Sequence, residues 1–362
     1  MVSLLDCIKR IPTVLEGILA NRERNMEVLF DYLGERVHTL DQLVFVGSGT
    51  SNTSPITAAI FAEQASGLEV KVVVPSVFCD HTRRYRENAL YVFLSQTGTS
   101  RLTRRAQKLV QEKGLLSVAV SESPDTPIAQ EASCFLDMGC GYEEYPMRTI
   151  GYSATVFTLM LLGLELGKRR GAITDGQYRA YLAQAGAVPG SLRAIPDLTL
   201  DWMQRGSQWN MMRSQAIIFT GAGSLYGVAL EGAVKTWETP KITSAGYELE
   251  EGMHGPNFGY NHNHCVIAFN DGGPDTKKAL SLAGWMKDVY HNGFAVGAEV
   301  IDESDLKLEL KGGPFCCLEL AAVPQVISYK LALDEGRDLF APHDNSVMNS
   351  YFSTHTQKGE GV

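Results

Sequence analysis

Apolar residues fall in two rhythms along this chain. Residues 1–42 predict helix: IPTVLEGILANRERNMEVLFDYLGERV places apolar side chains three and four apart, with Pro12 at a helix start. Beyond that point short apolar runs alternate with amphipathic segments. Strands are predicted at LVFVG (43–47), EVKVVVP (69–75), 90–95, LLSVAVS (115–121) and CFLDMG (134–139). Helices are predicted at PITAAIFAEQAS, 101–113, TPIAQEA and 149–169. Such alternation builds a parallel sheet covered on both faces, an α/β fold. The Ala/Gly-rich stretch 171–195 has helical character and leads to a second unit, where the pattern restarts. AIIFTGAGS (216–224) reads as a strand running into glycines, LYGVALEGAVKTWETP as a helix, HCVIAFNDGG (264–273) as a strand and DTKKALSLAGWMKDVYHNG as a helix. GAEVIDE (297–303) and the LEL near 318–320 add strand-like runs. The repetition is an internal duplication of pattern rather than identity. It predicts two domains, 1–190 and 191–362.

The candidate chemistry lies where two strands end. In YVFLSQTGTSRLT (91–103) an apolar run stops at Ser95-Gln96-Thr97-Gly98-Thr99-Ser100 and a helix follows. A helix start offers unpaired N–H groups and partial positive charge, and hydroxyls add donors, so this pattern suits an anion. The loop has no lysine and lacks GxxxxGK[ST] spacing, which points to a small phosphate monoester rather than a nucleotide. The same residues also serve as ordinary turns and N-caps. A second loop of the same kind, LVFVGSGTS (43–51), favours the ligand, because strand ends of one parallel sheet converge on one site.

A length of 362 residues accommodates two domains. The net charge of −9 argues against sequence-independent nucleic-acid binding, which needs basic surface. Arg101, Arg104, Arg105 and Lys108 stand at helical spacing and are read as a solvated face. The 7 cysteines are odd in number and form no CxxC, the pattern of buried reduced thiols. The opening MVSLLDCIKRIP does not read as a signal peptide. VFTLMLLGLELG (156–167) contains Glu165 and is short for a bilayer. A cytoplasmic protein with no membrane partner is expected. His262 and His264 could share one strand face as metal ligands or as a surface pair; the latter is favoured, and no metal or other cofactor is expected.

Together these motifs resemble the sugar-isomerase (SIS) domain family. GSGTS followed by SQTGTS is similar to its paired phosphosugar signature. GAGSLYGVALEGAVKTWE and GYELEEGMHGP resemble the second such domain in the isomerase portion of glucosamine-6-phosphate synthase. The resemblance runs from about residue 8 to 340 and implies two tandem domains, each a flavodoxin-like three-layer sandwich. It implies phosphate binding by Ser51, Ser95, Gln96, Thr97 and Ser100, with Gly49 and Thr50 in the same first loop, and sugar contact by Thr149. It implies Glu238 as catalytic base, His254 as the histidine of ring opening or proton transfer, and Lys235 near the sugar's C2. A shared site in a homodimer is also implied, since the histidine loop of this family reaches the neighbouring subunit. No stretch of these 362 residues resembles the glutaminase portion of the synthase, so ammonia transfer from glutamine is not expected.

Two departures shape the expected activity. Val347 falls where the synthase has its ring-opening tail lysine; His355 and Lys358 lie nearby but out of place. Glu-x15-His without that lysine resembles the deglycases that split phosphorylated fructose–amine (Amadori) adducts. AFNDGGPD in the second half has no hydroxyl residue, leaving one phosphate site per subunit. The expectation is a deglycase, with an aldose–ketose or amino-sugar phosphate isomerase and a non-catalytic phosphosugar sensor as alternatives. Each key residue also has a plainer reading. Glu238 could be a solvated carboxylate, which a helix C-terminus disfavours. A base enclosed by apolar groups such as Trp237 is the functional counterpart. Lys235 could pair with Glu238 at i−3. His254 could be a turn histidine. Arg148 could meet the phosphate or an acidic aglycone, or pair with Glu143 or Glu144. His343 and Tyr351 could close over the site.

Overall fold

The first helix starts at Leu4 rather than at Pro12. Ser3 and Asp6 cap it reciprocally: the Ser3 N–H donates to Asp6 Oδ2 (2.9 Å) and the Asp6 N–H to Ser3 Oγ (3.1 Å). Helix α1 (Leu4–Leu33) then runs through Pro12. The computed structural model describes residues 2–341 and 345–356.

Strands and helices alternate as β1 (Gln42–Val46), α2 (Thr50–Ser66), β2 (Glu69–Val73), α3 (Pro75–His81), β3 (Ala89–Leu94), α4 (Arg101–Glu112), β4 (Ser117–Ser121), α5 (Pro127–Gln130) and β5 (Phe135–Asp137). The strands form one parallel sheet in the order β2-β1-β3-β4-β5. Helices α6 (Ile150–Arg170), α7 (Asp175–Leu192), α8 (Ile195–Trp202) and α9 (Gln208–Arg213) follow. The second series is β6 (Ala216–Gly221), α10 (Ser224–Glu238), β7 (Thr243–Glu248), α11 (Leu249–Gly252), β8 (His264–Asn270), α12 (Thr276–Tyr290), β9 (Gly293–Gly297), β10 (Leu306–Lys307), α13 (Cys316–Asp334) and α14 (Ser346–Tyr351). Its parallel sheet has the order β7-β6-β8-β9-β10, the same winding as the first. The duplication seen as pattern is therefore a duplication of topology.

Two compact units result. One gathers residues up to Glu16, 144–153 and 180–339 around the second sheet. The other gathers 17–143, 154–179 and the described residues from 340 onward around the first sheet. In the first sheet, β1, β3 and β4 are buried throughout, while β2 is an alternating edge. In the second, β6 and β9 are wholly buried and β8 nearly so.

Two predicted strands are corrected. Gly297 of GAEVIDE ends β9 and the rest is a loop, held by Asp305, whose carboxylate accepts the N–H groups of Ala295 (3.0 Å), Ile301 (2.8 Å) and Asp302 (3.3 Å). The LEL run lies inside α13, which is buried almost all round, so its composition carries no helical period. Helices α6 and α13 have the length and apolarity of a membrane span, with the apolar windows 100% and 83% buried within the protein. All 7 cysteines are free thiols; Cys79 is half-buried and the others buried.

Candidate functional site

In a sheet wound 2-1-3-4-5, the chain leaves β1 and β3 toward opposite faces, and a crevice opens at their carboxyl ends. Val46 and Phe93 are register partners there, so the two hydroxyl loops emerge side by side. The first loop needs its glycines. A Cβ on Gly47 would lie 2.2 Å from the Ser51 carbonyl oxygen. Gly49 has φ 59° and ψ −130°, a region closed to other residues. Helix α2 begins at Thr50 with no side-chain cap, and the Ser51 N–H donates to Ser48 O (3.1 Å). Gly47→Ala is expected to destabilise this unit by about 1–3 kcal/mol through overpacking, read as a lower midpoint in thermal unfolding.

The second loop starts at buried Ser95, and Gly98 turns it with φ 68°, its N–H donating to Ser95 O (3.0 Å). A Cβ on Gly98 would sit 2.5 Å from Thr126 Cβ. Gln96 Nε2 approaches Glu143 Oε2 (3.4 Å), and its carbonyl accepts the Glu122 N–H (3.0 Å). Thr97 and Thr99 hydroxyls are 2.8 Å apart; Ser100 Oγ and Thr103 Oγ1 are 3.0 Å apart. Ser100 is the N-cap residue of α4, again without a side-chain cap bond. Two helix starts without side-chain caps, flanked by hydroxyls, have the make-up expected of an anion site. Arg104 does not belong to a solvated face: it is buried, ion-paired to Glu131, and donates to Thr356 Oγ1 (2.9 Å).

The second sheet repeats the first loop's backbone: Gly223 (φ 60°, ψ −128°) opens α10 as Gly49 opens α2. Its other switch-point turn differs. Asp271 Oδ1 accepts the Gly273 N–H (2.8 Å), putting a carboxylate where the first sheet has hydroxyls.

Glu238 is the last residue of α10, and Lys235 Nζ donates to its Oε2 at 2.6 Å. Lys235 also lies 3.4 Å from Glu231 Oε1; the side chains of Lys235 and Glu231 are 1% and 0% exposed, that of Glu238 38%. Burial acts to lower the Lys235 pKa, but the two carboxylates outweigh it and the lysine is held above its ordinary value. Its ion-pair stabilisation is complete below the unfolded lysine pKa of about 10.4 and is lost only as pH rises through the higher folded value. The i−3 pairing is therefore realised, with Glu231 as a third member the sequence reading missed; its signal was the i, i+4 spacing to Lys235. Lys235→Met is expected to cost about 3–5 kcal/mol in denaturant unfolding, because it leaves Glu231 buried without its cation. Trp237 does not enclose Glu238: it is half exposed, and its Nε1 donates to Ser244 O (2.8 Å).

His254 follows α11 and is 68% exposed at its side chain. Its Nδ1 is 2.9 Å from the Glu250 carbonyl, which selects the Nδ1–H form and leaves Nε2 as the basic nitrogen. Gly255 (φ 111°) turns the chain after it, and Phe258 at the loop's tip is 91% exposed. Thr149 is buried immediately before α6, its carbonyl accepting the Ser153 N–H (3.2 Å). Arg148 Nη1 donates to Tyr145 O (3.3 Å), while Glu144 pairs with Arg10. His264 Nδ1 accepts the Asn261 N–H (3.3 Å), and among the described residues no group of three or more His, Cys, Asp or Glu is arranged for a metal. Val347 and Tyr351 are exposed on α14. His343 and Lys358 lie outside the described residues.

No family model matches the chain. It is 27% identical over 253 residues to the glutamine–fructose-6-phosphate aminotransferase (isomerizing) of Tropheryma whipplei, covering 68% of this chain and 40% of that one. The enzyme of the same name from Leifsonia xyli is 29% identical over 232 residues, 62% of this chain and 36% of that one. The chain thus spans about two-fifths of the length of these curated relatives. Among solved structures, a candidate phosphosugar isomerase from Clostridium difficile superposes with TM-score 0.85 at 25% identity, covering 97% of this chain and 98% of that one. The C-terminal domain of glucosamine-fructose-6-phosphate aminotransferase from Francisella tularensis gives TM-score 0.84 at 22% identity, covering 93% and 97%. The chain carries the tandem sugar-isomerase-domain fold and is a homologue of the isomerase portion of the glutamine–fructose-6-phosphate aminotransferases.

Proposed function

We propose that this chain is a cytoplasmic enzyme of 6-phosphorylated sugars, and specifically a deglycase of fructose–amine 6-phosphate adducts. The observation that carries the reading is the pairing of two hydroxyl-lined helix starts, neither with a side-chain cap, at the first sheet's switch point. Residues 1–190 supply phosphate capture and 191–362 the acid–base groups. Homology to aminotransferases named for fructose 6-phosphate supports the substrate class. The 7 free thiols suit a reducing compartment.

Ser51, Ser95, Gln96, Thr97 and Ser100 hold the phosphate, with Gly49 and Thr50 shaping the loop. That remote binding energy orients the open-chain sugar. Glu238 takes the C1 proton of the ketoamine while C2–O gains one, giving an enaminol. Reprotonation at C2 gives the C1 imine. Water adds at C1, the C1–N bond breaks, and amine and aldose phosphate leave. His254, through basic Nε2, carries protons to and from oxygen and nitrogen. Lys235 neutralises part of the charge on Glu231 and Glu238. The exposed His254 and Phe258 support a homodimer in which this loop enters the neighbouring copy's site.

An aldose–ketose isomerase is the second reading. It is favoured by likeness of fold to tagatose-6-phosphate ketose/aldose isomerase from Escherichia coli (TM-score 0.66, 17% identity, 92% of this chain and 93% of that one). Incubation with fructoselysine 6-phosphate and with fructose 6-phosphate separates the two. Release of free lysine is the expected result. An aldose product from fructose 6-phosphate alone would establish the isomerase, and saturable binding without turnover of either would make the protein a sensor.

A further inference from the structure

Residues 354–356 run antiparallel to the start of α4. Ser100 and His355 form a β-bridge, the Arg101 N–H donates to Thr354 O (3.1 Å), and the Thr356 N–H to Thr99 O (2.9 Å). Arg101 Nε adds a bond to His355 O (3.1 Å). The His355 ring is thereby set on the anion loop, with Nδ1 3.0 Å from Thr99 Oγ1, which lies 2.8 Å from Thr97 Oγ1. We propose that His355 is a positioning residue of the phosphate loop, fixing through Thr99 the direction in which the Thr97 hydroxyl donates. The proposal rests on the phosphosugar reading above.

Each hydroxyl has one proton to give. When Nδ1 accepts, Thr99 gives its proton to the ring and Thr97 gives its own to Thr99, so Thr97 has none for a ligand. When Nδ1 carries the proton, Thr99 accepts it and donates to Thr97, whose O–H is released. A phosphate ester is surrounded by acceptor oxygens and needs that donor. The ligand-bound loop therefore holds His355 as the Nδ1–H form. Loss of solvent keeps the imidazole pKa below its usual value, so the neutral ring makes this choice as a tautomer. Among the described residues, Arg101 of α4 bonds the His355 carbonyl, and Arg104, paired with Glu131, bonds the neighbouring Thr356.

Calorimetric titration with fructose 6-phosphate and with inorganic phosphate tests this, alongside thermal unfolding as a check on folding. His355→Leu is expected to weaken fructose 6-phosphate binding about tenfold, the scale of one hydrogen bond to a charged group. His355→Asn, whose amide N–H replaces Nδ1–H, should stay within about threefold of wild type. Thr99→Val should match the leucine variant, and the double variant should lose no more than either single, as members of one relay do. Unchanged affinity in His355→Leu, equal losses in Leu and Asn, or additive losses would overturn the relay while leaving the phosphosugar reading standing. Failure of the wild-type protein to bind either probe would overturn that reading and the relay with it.

Discussion

Glu238→Gln is expected to lower turnover of the phosphorylated substrate by about a thousandfold or more, within the range attributed to general base catalysis. Phosphosugar affinity should change by less than about threefold, since the amide keeps the shape and the phosphate loop is untouched. Folding should survive, because the side chain is 38% exposed and Lys235 keeps Glu231 as a partner. The split matters: a residue that merely anchored the end of α10 would change unfolding and kcat together. Steady-state kinetics with a parallel thermal melt distinguishes these, and near-normal turnover in a folded variant would remove Glu238 from the base role.

The double substitution Ser95→Ala with Thr97→Ala should act on the other half of the chemistry. Two donors to a charged ester are lost, each worth about 1.5–3 kcal/mol, so affinity should fall by about a hundredfold or more. The effect should appear in Kd and KM for phosphorylated sugar, with little change for the corresponding free sugar. Ser95 is buried at the end of β3 and Thr97 sits on a turn, so neither truncation removes core packing of any size. Unchanged affinity would mean that the loop is an ordinary turn.

Much of the fold was legible because the sheets are parallel and doubly covered. Runs such as LVFV and YVFL are apolar without alternation, and glycine-hydroxyl loops mark where they stop. The failures have separate physical causes. Helix α13 is buried almost all round, so LEL carried no period to separate it from a strand. Strand β7, TSAGYE, is only partly buried and has no apolar run to mark it in the sequence. The strand assigned to GAEVIDE was displaced because Asp305, distant by 10 residues from Ala295, supplies bonds that no local pattern announces. At the candidate site, loop residues were readable from their type. The buried state of Glu231, the burial of Arg104 and the pairing of His355 with Thr99 depend on segments far apart in sequence, and only the folded chain reveals them.

The most direct test is a crystal structure with fructose 6-phosphate bound. The phosphate should lie within hydrogen-bond distance of Ser95, Thr97 and Ser100, and a Glu238 carboxylate should face the sugar's C1–C2 bond, with a His254 imidazole from the same or a neighbouring copy beside it. A phosphate seated elsewhere, or a sugar backbone with Glu238 out of reach in every assembled copy, would contradict the account.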